Sequence, residues 1–373
     1  MSGLYFHIPF CLSKCAYCGF YSVPSVKHKA EFLEALKQEI VSRKDYLHGE
    51  RVETVYFGGG TPSILMIDEI ESIIAALYDH FEIDPKAEIT LEANPDTLSL
   101  EYLKGLRSSG VNRLSIGIQS FFDEDLKYLS RRHNSEHARQ CVGWAKEAGF
   151  DNISIDLIYG LPTSDVGQWN RNLDLFFEME VPHLSAYALT LEPNTILTKQ
   201  IEQGKVEPVN EDAAVRDYEI LCRRAAENGF IHYEISNFCR SGMHSRHNTS
   251  YWFGVPYAGF GPSAHSYDGD SRQWNVSSVE RFVSNEASAV AEKEILTRKQ
   301  KYNEYVMLRL RTLWGIDLKY MKREMGECFS DFCEQKAQPL IAHGRLSQTR
   351  EFLYLNDRQM LFADGIAEEL FMS

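Results

Sequence analysis

The sequence predicts an α/β fold: a partial (β/α)6 barrel, a small mixed α+β extension, and a C-terminal winged-helix-like domain. Three observations carry this expectation. Strand-like and helix-like stretches alternate six times before residue 190. Polar residues recur where successive strands end. After residue 189 the rhythm breaks into short strands, aromatics and glycines, then three helical runs and a ribbon. The expected divisions are 1–205, 206–290 and 291–373.

Each element follows from its own residues. Residues 4–8 alternate until Pro9 cuts them off, a strand feeding a loop that carries Cys11, Cys15 and Cys18. Residues 27–47 set Phe32, Leu36, Ile40 and Leu47 near helical spacing. A strand at 52–57 enters the turn Gly58-Gly59-Gly60-Thr61-Pro62-Ser63, and a helix follows over 64–80. The strand 88–93 ends at Glu92-Ala93-Asn94-Pro95 before a helix at 99–109. Residues 113–118 form a strand ending at Gln119, with a helical stretch that includes 136–148. The strand 152–159 carries Asp156, 166–179 is helical, and 183–189 is the sixth strand.

Repeated strand–helix units give a parallel sheet with right-handed crossovers. Such a sheet either curls into a partial barrel or lies flat and doubly wound. Cys11, Gly59, Glu92, Gln119 and Asp156 fall at or just beyond the C-terminal ends of successive strands. That rim is where barrels build their sites. A doubly wound sheet gathers ligand groups at one switch point instead, so the barrel is favoured.

Further on, 211–228 reads as a helix, and 231–235, Tyr251-Trp252, 258–261 and 272–276 read as short strands of a small sheet. Helices at 302–313, 318–325 and 331–343 precede a strand pair at 346–348 and 352–355, a winged-helix pattern. Its third helix carries Asp331, Glu334 and Lys336 and no basic stripe, so it reads as a packing or protein-contact domain.

The totals bound the function. A chain of 373 residues with 44% hydrophobic and 25% charged residues is of ordinary soluble composition. No apolar run reaches the length of a membrane span, and M-S-G-L-Y-F-H lacks the regions of a signal peptide. A net charge of −14 argues against a nucleic-acid partner. The five cysteines outside the loop (Cys141, Cys222, Cys239, Cys328, Cys333) are scattered and form no framework. The expected compartment is the cytoplasm.

Three thiolates at C-x3-C-x2-C suit a [4Fe–4S] cube that leaves one iron open, since closed clusters take four cysteines. Zinc is the competing metal. It wants four ligands, and His7 or His28 could complete that set.

The words around the cysteines narrow the choice. C-x3-C-x2-C, H-I-P-F-C, C-G-F and Y-F-G-G-G-T-P-S together resemble the radical S-adenosylmethionine superfamily. Within it they resemble the oxygen-independent coproporphyrinogen III oxidase-like family, and most of all its haem-chaperone (HemW-like) branch. The resemblance runs over at least residues 3–270 and implies the radical-SAM form of the barrel. It implies a [4Fe–4S] cluster on Cys11, Cys15 and Cys18, with S-adenosylmethionine chelating the open iron and cleaved reductively. It places Tyr5, Tyr17, Gly59, Gly60, Thr61, Glu92, Gln119, Arg131, Asp156 and Ala188 around that cofactor. The residue types make sense. Arg131 can pair with a carboxylate in a two-pronged contact. Asp156, Glu92 and Gln119 offer acceptors for hydroxyl or amino groups. Tyr17 can pack on adenine. Alternatively, Arg131 is a solvated helix end and Asp156 a buried hydrogen-bonded carboxylate.

His247-Asn248-Thr249-Ser250-Tyr251-Trp252 is an H-N-x-x-Y-W word like that of the haem-chaperone branch. A histidine nitrogen is an ordinary haem ligand, and Tyr251 and Trp252 can stack on a macrocycle. Asn248 belongs to the same word. Arg240, His244 and Arg246 lie upstream as partners for propionates, and His265 is a second candidate ligand. Spacing alone favours core aromatics and a histidine bonded to a backbone carbonyl; the resemblance is what implies the haem role.

Two departures separate this chain from the oxidase pattern. Gly19-Phe20 stands where the oxidase has Gly then a fourth Cys, and only ten residues precede Cys11. The resemblance therefore implies a haem chaperone that receives haem and passes it to an acceptor protein. A transient membrane-associated acceptor and a homodimer are both compatible with it. The alternative is the oxidase itself, performing radical-SAM oxidative decarboxylation.

Overall fold

The computed structural model describes residues 2–284 and 289–373. Its first strand–helix pairs are β1 (Ser2–Ile8) with α1 (Lys29–Ser42), β2 (Val52–Gly59) with α2 (Ile67–His80), and β3 (Ile83–Ala93) with α3 (Leu100–Ser108). Next come β4 (Arg113–Gln119) with α4 (Asp123–Tyr128) and α5 (Ser135–Glu147), then β5 (Asn152–Tyr159) with α6 (Val166–Glu178). The sixth is β6 (His183–Ala188) with α7 (Ile196–Glu202), followed by α8 (Glu211–Glu227). Then follow β7 (Ile231–Glu234), β8 (Asn237–Cys239), α9 (Arg246–Trp252), β9 (Tyr257–Phe260), β10 (His265–Tyr267), β11 (Ser271–Asn275), α10 (Val279–Val283) and β12 (Val290–Ile295). The last stretch holds α11 (Arg298–Leu310), β13 (Ile316–Asp317), α12 (Leu318–Glu324), α13 (Glu327–Ala342), β14 (Ser347–Gln348), β15 (Phe352–Tyr354), α14 (Asp357–Met360) and α15 (Ala363–Glu369).

The chain divides into two compact units: Met1–Ile220 with Pro256–Glu294, and Leu221–Val255 with Ile295–Ser373. In the first, β1 to β6 lie side by side in sequence order, every neighbouring pair parallel. A doubly wound sheet reverses its strand order; this one does not, so its strand ends make a continuous rim. On the other side of β1 the sheet continues through β9, parallel to it, and then β10, β11 and β12. Phe6 explains why β1 can sit mid-sheet. Its ring stacks on Phe57 at 5.2 Å and on Phe260 at 5.0 Å, a row of aromatics across three strands. Strands covered on both faces read as near-continuous apolar runs, and Leu4, Phe6, Ile8, Leu114, Ile116, Ile155 and Leu157 are all buried.

The second unit packs α11, α12 and α13 on the antiparallel sheet β13-β15-β14, the expected winged-helix arrangement. Tyr302, Val306, Leu310, Met321, Phe329, Cys333, Leu340 and Leu353 form its core.

One expectation fails. Tyr251-Trp252 is not a strand but the end of α9, whose first turn is capped by Ser245 accepting from the Asn248 amide. The cap and the His247–Tyr251 spacing outweigh the β-propensity of two aromatics. The sequence reading also missed α7, although Thr195 caps it by accepting from the Thr198 amide.

Candidate functional site

The site is assembled at the rim of the first unit. The loop after β1 is pinned by two backbone bonds, Val23 N to Pro9 O at 2.8 Å and Cys11 N to Val23 O at 3.0 Å. Beside it, the turn after β2 is stitched to the same segment: Gly60 N donates to Ile8 O and Thr61 N to Phe10 O, both at 2.8 Å. Glycine is required here for close approach. A Cβ on Gly60 would lie 2.7 Å from Phe10 O, and one on Gly59, which has φ 107°, would lie 2.6 Å from the His7 ring. Gly59 N is also used, donating to Glu92 Oε2 at 3.1 Å. With all three amides taken, the turn meets a ligand through its carbonyls, which suit an ammonium rather than a carboxylate.

A cavity of about 560 Å³ opens between these segments. Cys11, Cys15, Tyr17, Cys18, Gly59, Gly60, Thr61, Glu92, Gln119, Arg131, Asp156 and Ala188 all line it. Tyr5 does not. It lies behind, stacked on Tyr56 at 6.1 Å, with its hydroxyl 3.1 Å from His7 Nδ1. His7 Nε2 sits 2.8 Å from the Tyr21 carbonyl, so it donates there and Nδ1 accepts from Tyr5. Both ring nitrogens are engaged, so His7 is no zinc ligand in this arrangement.

Glu92 and Asp156 face the cavity from β3 and β5. Tyr56 donates to Glu92 Oε1 at 2.8 Å and Ser115 to Asp156 Oδ1 at 3.2 Å. Burial nonetheless pushes Glu92 up to about 7 and Asp156 up to about 6. Gln119 ends β4 at φ 69°, a left-handed conformation uncommon for a side-chain-bearing residue and enriched at functional sites. Arg131 reaches inward: Nη2 donates to Gly117 O at 2.6 Å and Asn94 Oδ1 at 2.8 Å, and Nη1 donates to Cys15 Sγ at 3.3 Å. It is no solvated helix end. Thr61 Oγ1 donates to Cys11 Sγ at 3.4 Å. Burial raises the thiols of Cys11 and Cys18 above their ordinary range. Asn94, Ser115 and Tyr56 were not read from the sequence as part of this site. The only signal for Asn94 was its place in the E-A-N-P strand end.

Two sequence patterns match the chain, the Radical SAM superfamily over residues 5–176 and the HemN C-terminal domain over residues 296–362. Heme chaperone HemW of Mycobacterium tuberculosis (strain CDC 1551 / Oshkosh) is 34% identical over 375 residues, covering 99% of this chain and 94% of that one. The chain belongs to the HemW family, within the radical SAM superfamily. Heme chaperone HemW of Bacillus subtilis (strain 168) is 31% identical, covering 98% of both chains. Among solved structures, coproporphyrinogen III oxidase (HemN) from Escherichia coli, described as a radical SAM enzyme, superposes with a TM-score of 0.86 at 25% identity. The match covers 100% of this chain and 90% of that one.

Radical SAM membership implies a [4Fe–4S] cluster and S-adenosylmethionine, and the cavity of this HemW-family chain fits them. Three thiols from one loop reach it, with polar donors set against two of the sulfurs. Among the described residues no three His, Cys, Asp or Glu side chains already stand at metal-ligating spacing; a cluster would draw the loop's thiols together. A cube held by three thiolates keeps one iron open to an incoming ligand and delivers single electrons there. The protein's share is to orient and enclose. Glu92 and the carbonyls of the glycine turn offer acceptors, and Arg131 offers a fixed positive charge.

The H-N-x-x-Y-W segment lies in the second unit, on α9. His247 is 0% exposed, and its Nε2 stands 2.7 Å from the Tyr251 hydroxyl. Arg311 lies over the Trp252 ring at 5.9 Å. Nearby, His244 packs edge-on against Tyr233 at 4.9 Å and beside Trp314 at 5.7 Å. His265 belongs to the first unit and stacks on Trp274 at 5.8 Å.

Proposed function

We propose that this chain is a haem chaperone that holds a [4Fe–4S] cluster and S-adenosylmethionine in its first unit, binds haem, and transfers it to an acceptor protein. Cys11, Cys15 and Cys18 hold the cluster. Tyr17, Gly59, Gly60, Thr61, Glu92, Gln119, Arg131, Asp156 and Ala188 surround the cofactor, with Tyr5 behind them. His247, Asn248, Tyr251 and Trp252 form the haem segment. The observation that carries this reading is the match to heme chaperone HemW of M. tuberculosis over 99% of this chain. The convergence of the three cysteines on one cavity supports the cofactor half.

The eight cysteines form no disulfide, and among the described residues no helix is long and apolar enough to cross a membrane. Both are compatible with a cytoplasmic chaperone that visits a membrane-associated acceptor. Pairing of two copies belongs to the same proposal and is read by light scattering. The three-part division at residues 205 and 290 is kept as a functional one: cofactor barrel, haem-bearing extension and C-terminal contact domain.

Titrating pure protein with haem and recording the Soret band tests the reading. Saturable binding by the wild type, weakened in His247→Ala, is expected. Wild-type protein that binds no haem ends the chaperone proposal, and binding unchanged by the substitution removes His247 as ligand. In the same preparation, protoporphyrinogen formed catalytically from coproporphyrinogen III would restore the oxidase reading.

A further inference from the structure

Asn94 occupies the N-cap of the short turn Pro95–Thr97, where an asparagine side chain ordinarily caps the turn's amides. Here it makes no capping bond. Thr97 closes the turn instead, donating Oγ1 and N to the Asn94 carbonyl at 2.7 and 3.0 Å. The Asn94 amide donates to Ser63 Oγ at 3.3 Å. With its backbone fixed on both sides, the residue sends its side chain elsewhere. Oδ1 accepts from Arg131 Nη2 at 2.8 Å, and Nδ2 donates to Thr61 Oγ1 at 3.1 Å.

The directions of the hydrogens follow. Thr61 Oγ1 already receives a hydrogen from Asn94, so its own is available for Cys11 Sγ, 3.4 Å away. Arg131 has Nη2 tied down by Asn94 Oδ1 and Gly117 O, which leaves Nη1 on Cys15 Sγ at 3.3 Å. One amide thus aims two donors at two different sulfurs. We propose that Asn94 is a positioning residue that sets the hydrogen bonds received by Cys11 and Cys15, and through them the reduction potential of the cluster those residues hold. The inference rests on the cluster reading given above. Hydrogen bonds to ligand sulfurs are one of the levers on such potentials. A donor aimed at sulfur favours the more negative, reduced cube and raises its potential.

Asn94→Asp tests this with almost no change of shape. A carboxylate has no hydrogen to give Thr61, so the threonine hydroxyl turns to the new carboxylate oxygen and away from Cys11, while Arg131 keeps its anchor. Thr61→Val removes the same hydroxyl directly. The full chain is reconstituted anaerobically with iron and sulfide, and the midpoint potential is read by EPR-monitored redox titration. Thr61→Val lowers the potential in the wild-type background and has no effect in the Asn94→Asp background. An equal lowering in both backgrounds, or no change on Asn94→Asp, overturns the inference. Should Asn94→Asp fail to fold by circular dichroism, Asn94→Ala carries the test. It releases Arg131 from Cys15 and lowers the potential, and an unchanged potential again overturns the proposal. Wild-type protein that takes up no iron would defeat the cluster reading itself, a different result from any of these.

Discussion

The cavity of the first unit collects side chains from residues as distant in sequence as Cys15 and Arg131, which touch through a hydrogen bond spanning 116 residues. The H-N-x-x-Y-W segment of the second unit is one helix of 7 residues, and the contact of His247 with Tyr251 closes within it. The first is open. Glu92, Arg131 and Thr61 are each held by protein partners while facing shared space. The second is shut, because His247 is 0% exposed. A cluster entering the first draws the loop's thiols together, whereas haem iron reaches Nε2 of His247 only after the bond to Tyr251 is given up. Breaking such a neutral bond costs about 0.5–1.5 kcal/mol. That one bond is worth up to about tenfold in affinity.

The sharpest way to break this contrast is at the cysteines. Replacing any one of Cys11, Cys15 or Cys18 by serine removes one of the three proposed ligands, and anaerobic reconstitution should return iron at background level. Cysteines outside the loop, such as the exposed Cys328, should be replaceable without loss. Arg131→Ala comes next. Losing a fixed, charge-assisted donor costs about 1.5–3 kcal/mol, so adenosylmethionine affinity should fall by at least about tenfold by equilibrium dialysis. An unchanged affinity would make Arg131 a partner of the sulfurs alone.

Glu92 gives a smaller effect with a definite sign. Burial lifts its pKa from 4.5 to about 7, so across that window the folded chain keeps a proton that the unfolded chain has released. The carboxyl therefore costs the fold stability as pH rises through the window, and Glu92→Gln escapes the penalty. Thermal melts of cofactor-free protein should show the variant gaining on the wild type between about pH 4.5 and about pH 7, with a constant gap above that window. A gap independent of pH would mean that Glu92 titrates normally. The smallest change is expected from Tyr251→Phe, which removes the hydroxyl against His247 and should alter stability by about 1 kcal/mol. Stopped-flow mixing with haem should then give a faster Soret change. A slower or absent one would make Tyr251 part of the haem contact rather than the latch on it.

The sequence displays these two regions unequally. Six strands, their order and the cysteine loop could be read because period, Pro9 and the glycine turn are local signals. The line of residues from Cys11 to Asp156 along one rim could be read because parallel strands place their C-terminal ends together. Asn94 could not. Its importance lies in where its amide points, which depends on Thr61 and Arg131 arriving from other strand ends. The helix over Arg246–Trp252 was obscured by two terminal aromatics, although Ser245 in front of Asn248 was a usable cap signal. Tyr5 was placed at the cofactor by resemblance, and its burial behind the cavity against Tyr56 and His7 is a packing fact that no pattern displays.

The most direct test of the account is the EPR spectrum of the dithionite-reduced, anaerobically reconstituted full chain, before and after adding S-adenosylmethionine. A [4Fe–4S] signal whose g-values shift with the cofactor is predicted, and the signal itself should be absent when Cys15 is replaced by serine. A signal that ignores the cofactor would mean that no iron is open to it, and would contradict the account.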